Sequence, residues 1–364
     1  MNKYADCAHL EAVPHRVLHI QARSSSDNET GSRRSRFSAD VNAMNDTAAM
    51  VFALCDGRRN IREIISLISD AYPELGGRIE ADVLTALALQ SCCGMIDITP
   101  RPLRIYYDVS QSGLGNRLRG LVSCLTLADI LGIRLSMRWA PDDACDTWFH
   151  ELFEVPPGID YLGETTPTPH ADASILYVTE RLPPSVFYDK YRIYMPGIDY
   201  GSFRSNVVKH TRALLPVRDL TDKIAAFKGR IALDRSFVGL HIRRTDHPNA
   251  SAMTDQLVNA VIEYEKLKAG TTRFFLATDN RHTQARFLRH PSVVSYPVRW
   301  RDEPLPEWGG PVSRLRRRHC PATDALIDLY LLAECRKIYA PGTSFSYYAG
   351  LLGGIKVTSP NALF

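Results

Sequence analysis

The segment Phe237-Val-Gly-Leu-His-Ile-Arg-Arg-Thr-Asp246 sets two adjacent arginines and a carboxylate behind a short apolar run. The run, 237–242, reads as a buried strand. In an open α/β sheet the carboxyl end of such a strand is where ligands bind. Arg243 and Arg244 would offer planar, permanently charged donors there, with His241 just before them. Guanidinium of that kind suits a pyrophosphate. Taken alone, the Arg-Arg pair reads equally well as a solvated start to a loop. Phe274-Phe-Leu-Ala-Thr-Asp279 repeats the pattern, an apolar strand ending in a carboxylate. Asp279 could accept the N–H groups of a base, hold a sugar hydroxyl, or merely cap the next turn.

Other segments carry related chemistry. Ser112-Gly-Leu-Gly-Asn-Arg117 joins an expected strand to an expected helix, and backbone N–H groups at such a junction cradle anions. Gly113, Gly115, Asn116 and Arg117 are the candidates, against a plain reading in which the glycines only permit a tight turn. The motif is not a dinucleotide fingerprint, because Leu118 stands where a third glycine belongs. Asp328 lies inside the apolar stretch Ala325-Leu-Ile-Asp-Leu-Tyr-Leu-Leu332 and needs a partner if buried, either an arginine or the edge of a base. Thr343, Ser344 and Phe345 offer hydroxyls and amides at another strand exit, suited to phosphate oxygens. The basic run Arg314-Leu-Arg-Arg-Arg-His319 reads as a solvated loop. The chain contains no D-x-D, H-E-x-x-H, G-x-S-x-G or P-loop pattern, so metal-bridged sugar-nucleotide binding, zinc proteolysis and serine hydrolysis are not signalled.

The elements that would position these residues follow from periodicity. Near the amino end, extended segments at 15–21 and 34–40 suggest a β-ribbon with a long tip. Helices are expected at 46–55, from 60 with the stripe Ile61, Ile64, Ile65 and Ile68, and at 80–93. Asn60 and Glu63 have capping-box spacing. The helix at 80–93 is apolar on more than one face, through Val83, Leu84, Leu87 and Leu89. Pro100-Arg-Pro102 punctuates the chain. After it, strands at 103–109, 133–139, 237–242, 273–277, 293–296 and 337–340 alternate with helices, including 118–131 and 324–333. Such alternation implies parallel sheets covered by helices. The Pro-rich stretch 141–216 has little pattern. The expected class is α/β, a pair of Rossmann-like domains preceded by a small α+β domain, divided at 1–99, 103–220 and 221–364.

Composition is that of an ordinary globular protein, 45% hydrophobic and 23% charged. No apolar run is long enough to span a bilayer, and the amino end shows no secretory pattern, so a cytoplasmic location is expected. The eight cysteines lack C-x-x-C spacing and sit in apolar contexts, consistent with buried thiols. Residues 1–100 carry 10 Lys/Arg against 13 Asp/Glu, leaving 34 against 27 in the remainder. The larger part is therefore basic, which favours a small anionic ligand, while the acidic smaller part disfavours nucleic acid.

Gly113-Leu-Gly-Asn-Arg-Leu-Arg119, His241-Ile-Arg-Arg-Thr-Asp246, Phe274–Asp279 and Ala325–Leu332, in that order, resemble the nodulation-type and α-1,6/protein-O-fucosyltransferase superfamily. The resemblance covers about residues 103–364. It implies a metal-independent, inverting transferase of GT-B arrangement using a GDP-sugar such as GDP-fucose, with no further cofactor. It places Arg243 at the β-phosphate, Asp328 at guanine, Ser344 and its neighbours at the pyrophosphate, and Asn116 with the glycine turn beside the sugar. The α-1,6 enzymes carry a glutamate after the arginine motif; here His247-Pro-Asn-Ala-Ser251 follows. Asp246, His247 or Asp255 would have to serve as acceptor base, or none is needed.

Residues 1–99 resemble a second family, the PqqD-like peptide-recognition domain, through Met44-Asn-Asp-Thr-Ala-Ala49, Leu54-Cys-Asp-Gly57, Ile61–Ile64, Ala81–Leu84 and Gly94-Met-Ile96. That family has a winged-helix shape and binds a leader peptide as an added strand. The resemblance implies a groove between the ribbon, with Arg36, Phe37 and Ser38, and the helix bearing Val83, Leu84 and Leu87. The combined expectation is a glycosyltransferase acting on a ribosomally made precursor peptide. The alternatives are an oligosaccharide acceptor and a non-catalytic peptide- or DNA-binding regulator. The DNA version is disfavoured, since residues 80–93 contain no Lys or Arg.

Overall fold

The computed structural model describes residues 13–16, 46–57, 59–92, 95–99, 102–109, 112–142, 144–163, 175–195, 197–244, 253–270, 273–300 and 320–362. They fall into two compact units. The smaller comprises Met1–Leu103, Ala171–Ile175 and Tyr188–Asp199, and the larger comprises the rest.

The amino-terminal elements are β1 (Val13–Arg16), α1 (Asp46–Leu54), α2 (Ile61–Ala71), α3 (Ile79–Cys92) and β2 (Ile96–Thr99). Asn60 and Glu63 form the expected box: the Glu63 N–H donates to Asn60 Oδ1 and the Asn60 N–H to Glu63 Oε2, each at 2.8 Å. The apolar stripe then turns inward, burying Ile61, Ile64 and Ile68 with Val51, Cys55 and Ile79. β1 pairs antiparallel with β2, Pro14 opposite Ile98. The second strand expected at 34–40, with Arg36, Phe37 and Ser38, lies outside the described residues. Val83 and Leu87, expected to line a peptide groove, are instead fully enclosed in this unit's own core, while Leu84 is half-buried against it. Their side chains serve packing, which leaves Leu84 and the exposed Leu89 as the apolar groups α3 shows outward.

From Arg104 the chain runs β3 (Arg104–Asp108), α4 (Leu114–Leu131), β4 (Arg134–Arg138), α5 (Phe149–Leu152), β5 (Ile159–Leu162), β6 (Ile175–Val178), α6 (Pro184–Tyr191), α7 (Tyr200–Ala213) and α8 (Arg218–Ile231). It continues with β7 (Val238–Ile242), α9 (Asp255–Ala269), β8 (Phe274–Thr278), α10 (Arg281–Phe287), β9 (Val293–Ser295), α11 (Ala322–Ala333), β10 (Lys337–Tyr339), α12 (Ser344–Gly353) and β11 (Lys356–Thr358). Two sheets result. One has the order β5-β4-β3-β6, the other β11-β10-β7-β8-β9. The pairs β3–β4 and β4–β5 are parallel, as are all four pairs of the second sheet. β7 and β8 are buried along their whole length, which their unbroken apolar runs anticipate.

Strand order fixes where ligands can enter. In the second sheet the chain steps from β7 outward to β8 and β9, then returns to the other side of β7 as β10. In the first it steps from β3 to β4 and β5, then returns beside β3 as β6. Each reversal opens a crevice at the carboxyl ends of the central strands. The sheets are held by buried apolar clusters such as Val238, Leu240, Ile242, Phe274 and Leu276 with Val258 and Ile262 of α9.

One buried charge belongs to this scaffold. Glu265 on α9 accepts from Arg336 Nη2 at 2.7 Å, Lys337 Nζ at 2.5 Å and Tyr339 Oη at 2.6 Å, tying α9 to β10. Burial pushes its carboxyl up, but the bonds from Lys337, Tyr339 and Arg336 more than offset this, so it titrates below the usual range. Replacing Glu265 by Ala removes the buried carboxylate that Arg336 and Lys337 share and should cost about 3–5 kcal/mol, read as a lower urea midpoint. Because the folded-state carboxyl is depressed, wild type should hold that advantage at neutral pH and lose it as pH falls through the depressed range.

Candidate active site

The exits of β7, β8 and β10 share one edge of the second sheet, since all three strands are parallel. β7 delivers His241, Arg243 and Arg244; β8 delivers Asp279; β10 leads into Thr343 at the amino end of α12. Arg243 Nε lies 3.0 Å from Asp279 Oδ2, both side chains largely buried. Asp279 Oδ1 accepts the Arg244 N–H at 2.8 Å. Asp279 therefore fixes the arginine turn; this is the work it does here, rather than capping a helix. The His241 ring lies 4.9 Å from the Phe345 ring, and its Nδ1 is 3.4 Å from Thr343 Oγ1. Thr343 in turn caps α12 through the Ser346 N–H. The crevice between β7 and β10 is thus bounded by an imidazole, a guanidinium and the positive end of a helix, a set that attracts phosphate.

The Gly113 turn reaches the same place. The helix of α4 begins at Leu114, four residues earlier than periodicity suggested, with Gly113 as its N-cap. Gly115 sits inside that first turn, directly against the first peptide of α12. A Cβ there would lie 2.6 Å from Phe345 N, 2.7 Å from Phe345 Cα and 2.9 Å from Ser344 C. Its hydrogen is what allows the two helix starts to touch, so its role is close approach and not a flexible loop. Asn116 is half-buried beside it.

Two expected ligand arginines are occupied otherwise. Arg117 is fully buried, donating from Nε to Ser112 O at 2.7 Å, from Nη1 to Ala140 O at 2.7 Å and from Nη2 to Asp142 Oδ2 at 2.5 Å. It staples the loops after β3 and β4, and those bonds leave no fork for a donor. Arg244 donates to the Met253 carbonyl and, at 2.5 Å, to Asp255 Oδ1. Asp255 also binds Arg286, so both its oxygens are engaged by guanidiniums. Asp246 and His247 lie outside the described residues.

Asp328 faces inward from α11 and is only 2% exposed. Its Oδ1 has no hydrogen-bond partner among the described residues. Burial, then the nearby charge of Asp324, pushes its carboxyl well above the usual range. Among the described residues no arginine is paired with it; the neighbour that has one is Asp324, which accepts from Arg299 N at 2.8 Å and Nη2 at 2.9 Å. This clamp holds the segment after β9 over α11. Sequence reading passed over Asp324 and Arg299, although Asp324 precedes Asp328 by one helical turn and would share its face. Five cysteines among the described residues, Cys55, Cys124, Cys145, Cys320 and Cys335, are buried and outside any disulfide. Among the described residues no group of three or more His, Cys, Asp or Glu is placed to hold a metal ion. No helix among them is long and apolar enough to cross a membrane.

Comparison with known proteins adds to this geometry. Residues 38–91 match the family described as coenzyme PQQ synthesis protein D (PqqD). This segment is a PqqD-like domain. A PqqA binding protein of Klebsiella pneumoniae is 39% identical over 46 residues, 13% of this chain and 49% of the relative, and the protein of strain 342 aligns over the same shares. The chain thus spans about half the length of the curated relatives it matches. In structure the chain is similar to fucosyltransferase NodZ from Bradyrhizobium, with a TM-score of 0.43 and 18% identity over 68% of this chain and 92% of that one. It is likewise similar to POFUT1 in complex with GDP, with a TM-score of 0.43 and 13% identity over 72% and 99%.

Substituting Gly115 by Ala sets a methyl against backbone that cannot swing aside. A loss of about 1–3 kcal/mol is expected in thermal or urea unfolding. Arg117→Met, which leaves Asp142 and two carbonyls without their donor, should cost about as much as breaking a buried pair, roughly 3–5 kcal/mol by the same measurement.

Proposed function

We propose that the chain is a glycosyltransferase that moves fucose, or a related sugar, from a GDP-sugar to a ribosomally made precursor peptide captured by its PqqD-like domain. The observation that carries the donor half of this reading is the crevice between β7 and β10, where Arg243, His241 and the amino end of α12 meet the start of α4. A diphosphate there would lie against Arg243 and the free N–H groups of α12, at Thr343, Ser344 and Phe345. Asp328, buried with an unsatisfied oxygen, would accept N–H groups from the guanine edge.

In the reaction the bond from the anomeric carbon to the β-phosphate oxygen breaks as the acceptor oxygen bonds to the opposite face of that carbon. The acceptor proton leaves and the anomeric configuration inverts. Negative charge grows on the departing GDP, and Arg243 with the α12 dipole is already oriented toward it, so no rearrangement is needed at the barrier. Asp279 contributes by holding the Arg243 fork in place. Asp246 or His247, following the arginines, would receive the acceptor proton.

The peptide half rests on the PqqD match and on the printed name of its Klebsiella relative, a binder of PqqA. A tethered core peptide experiences a local concentration near millimolar, so weak affinity at the transfer site suffices.

The direct test incubates the protein with a panel of sugar nucleotides and the precursor peptide encoded nearest its gene, and reads the mass added. A deoxyhexose increment dependent on a GDP-sugar is expected; consumption of no sugar nucleotide sinks the reading, and glycosylation of free oligosaccharide in preference to peptide redirects the acceptor. Arg243→Ala should lower kcat by about 10²–10³. Asp328→Asn, which removes a charge-assisted acceptor, should weaken GDP by about tenfold or more in calorimetry.

A further inference from the structure

Helices α4, α7 and α12 run side by side in one direction. At their far ends Asp129 of α4 binds Lys209 and His210 of α7 at 3.0 and 3.2 Å, and Gly354 beyond α12 abuts Arg212. At their near ends Gly115 of α4 touches Ser344 and Phe345 of α12, while Tyr347 of α12 lies within electrostatic reach of Arg119 of α4 and of Tyr200 and Arg204 of α7. Three amino termini, each worth roughly half a positive charge, therefore gather in one place. Such ends normally carry Asp or Glu, yet none of the three has an acid in its first turn. Arg119 and Arg204 stand in the second turns of α4 and α7, and an exposed acid, Asp199, directly precedes α7.

The same place is the strand reversal of the first sheet. Arg119 Nη2 donates to the carbonyl of Arg181, the third residue past β6, so the exits of β3 and β6 are bridged across the crevice between them. Arg119 Nε is buried without a hydrogen-bond partner, and among the described residues neither Arg119 nor Arg204 faces a carboxylate. Arg204 is exposed, and Tyr200 and Tyr347 are half-buried. Burial foremost, and then Tyr200, keep the Tyr347 hydroxyl protonated, so it is a donor. The carboxylate of this segment, Glu180, acts on the buried Cys124 of α4.

We infer that Arg119, Arg204, Tyr200 and Tyr347 form the acceptor site at the first-sheet crevice and select an acceptor peptide carrying carboxylates beside the residue to be glycosylated. The inference rests on the donor reading above only for the word acceptor. The donor contacts proposed at Arg243, His241, Asp328 and the start of α12 belong to the second sheet, whereas Arg119, Arg181, Tyr200 and Arg204 belong to elements of the first; Tyr347 on α12 and the turn at Gly115 and Asn116 lie where the two meet. A second crevice with its own unneutralised cations calls for a second anion.

The test measures binding of fluorescein-labelled peptides to the full chain by anisotropy, with one serine flanked by Glu, by Gln or by Lys. The Glu peptide should bind about five- to tenfold tighter than the Gln peptide at low salt. Arg204→Glu, an exposed substitution that spares the fold, should abolish that preference and favour the Lys peptide. A Glu preference that survives both Arg204→Glu and Arg119→Gln overturns the inference, as does equal binding of all three peptides to wild type. Arg204→Glu that weakens GDP by the same factor as the Glu peptide also overturns it, by assigning the cluster to the donor. GDP titrated into wild type reads the donor site separately: no GDP binding sinks the proposed function while the peptide comparison still decides the acceptor chemistry.

Discussion

The contact between Gly115 and the first peptide of α12 is the constraint on which the rest of the larger unit turns. Two helices begin at the exits of β3 and β10, strands of different sheets, and can meet end to end only if one of them lacks a side chain at the contact. Once they meet, their positive ends add, and like ends of parallel helices repel. The structure does not relieve this with acids. Arg119 and Arg204 stand on one side of α12 and Arg243, paired with Asp279, on the other, so positive potential at the helix starts is only partly compensated. The proposed donor site would use this residual potential to hold a diphosphate.

Around that point, charged groups divide between holding and binding. Arg117, Arg244, Asp255, Asp279, Asp324 and Glu265 are each matched to named partners within the protein. They fix loops at strand exits, where the backbone has left the ladder and has no other anchor. Asp328 and Arg119 are different: each has a buried polar atom left unmatched. Leaving such an atom dry costs on the order of 1–3 kcal/mol, which a ligand supplying the missing bond would recover. Unmatched buried atoms occur in the scaffold too, at Arg336 Nε and Ser136 Oγ for example, so it is their place at a strand exit or in the apolar α11 that marks Arg119 and Asp328.

The amino-terminal unit shows the same logic at smaller scale. Its helices obey their sequence cues closely, from the Asn60 box to the isoleucine stripe. Among its described residues a short ribbon and three α-helices enclose one small core, and Val83 and Leu87 go to it. Any peptide beside α3 would meet Leu84, Leu89 and the small side chains of Ala81 and Ala88, a surface better suited to backbone pairing than to deep side-chain pockets.

The sequence by itself determined the local elements and the residue types at strand exits. Unbroken apolar runs before Arg243 and Asp279 could only be buried strands, and a parallel sheet puts their carboxyl ends together. It also marked the two segments whose motifs differ, the PqqD-like beginning and the strand–helix remainder. What it could not determine was partnership. Arg117, Arg119, Arg243 and Arg244 are the same residue type at similar exits, yet the fold makes two of them staples and aims two at crevices. Residues 141–216 were illegible because their strands are short and α7 mixes polar and apolar positions without a clean period. Only the packing of α7 beside α4 and α12 placed Tyr200 and Arg204 at the first crevice. Helix and strand periodicity arise from neighbours along the chain, but the charge a side chain finally meets is set by neighbours brought from far away.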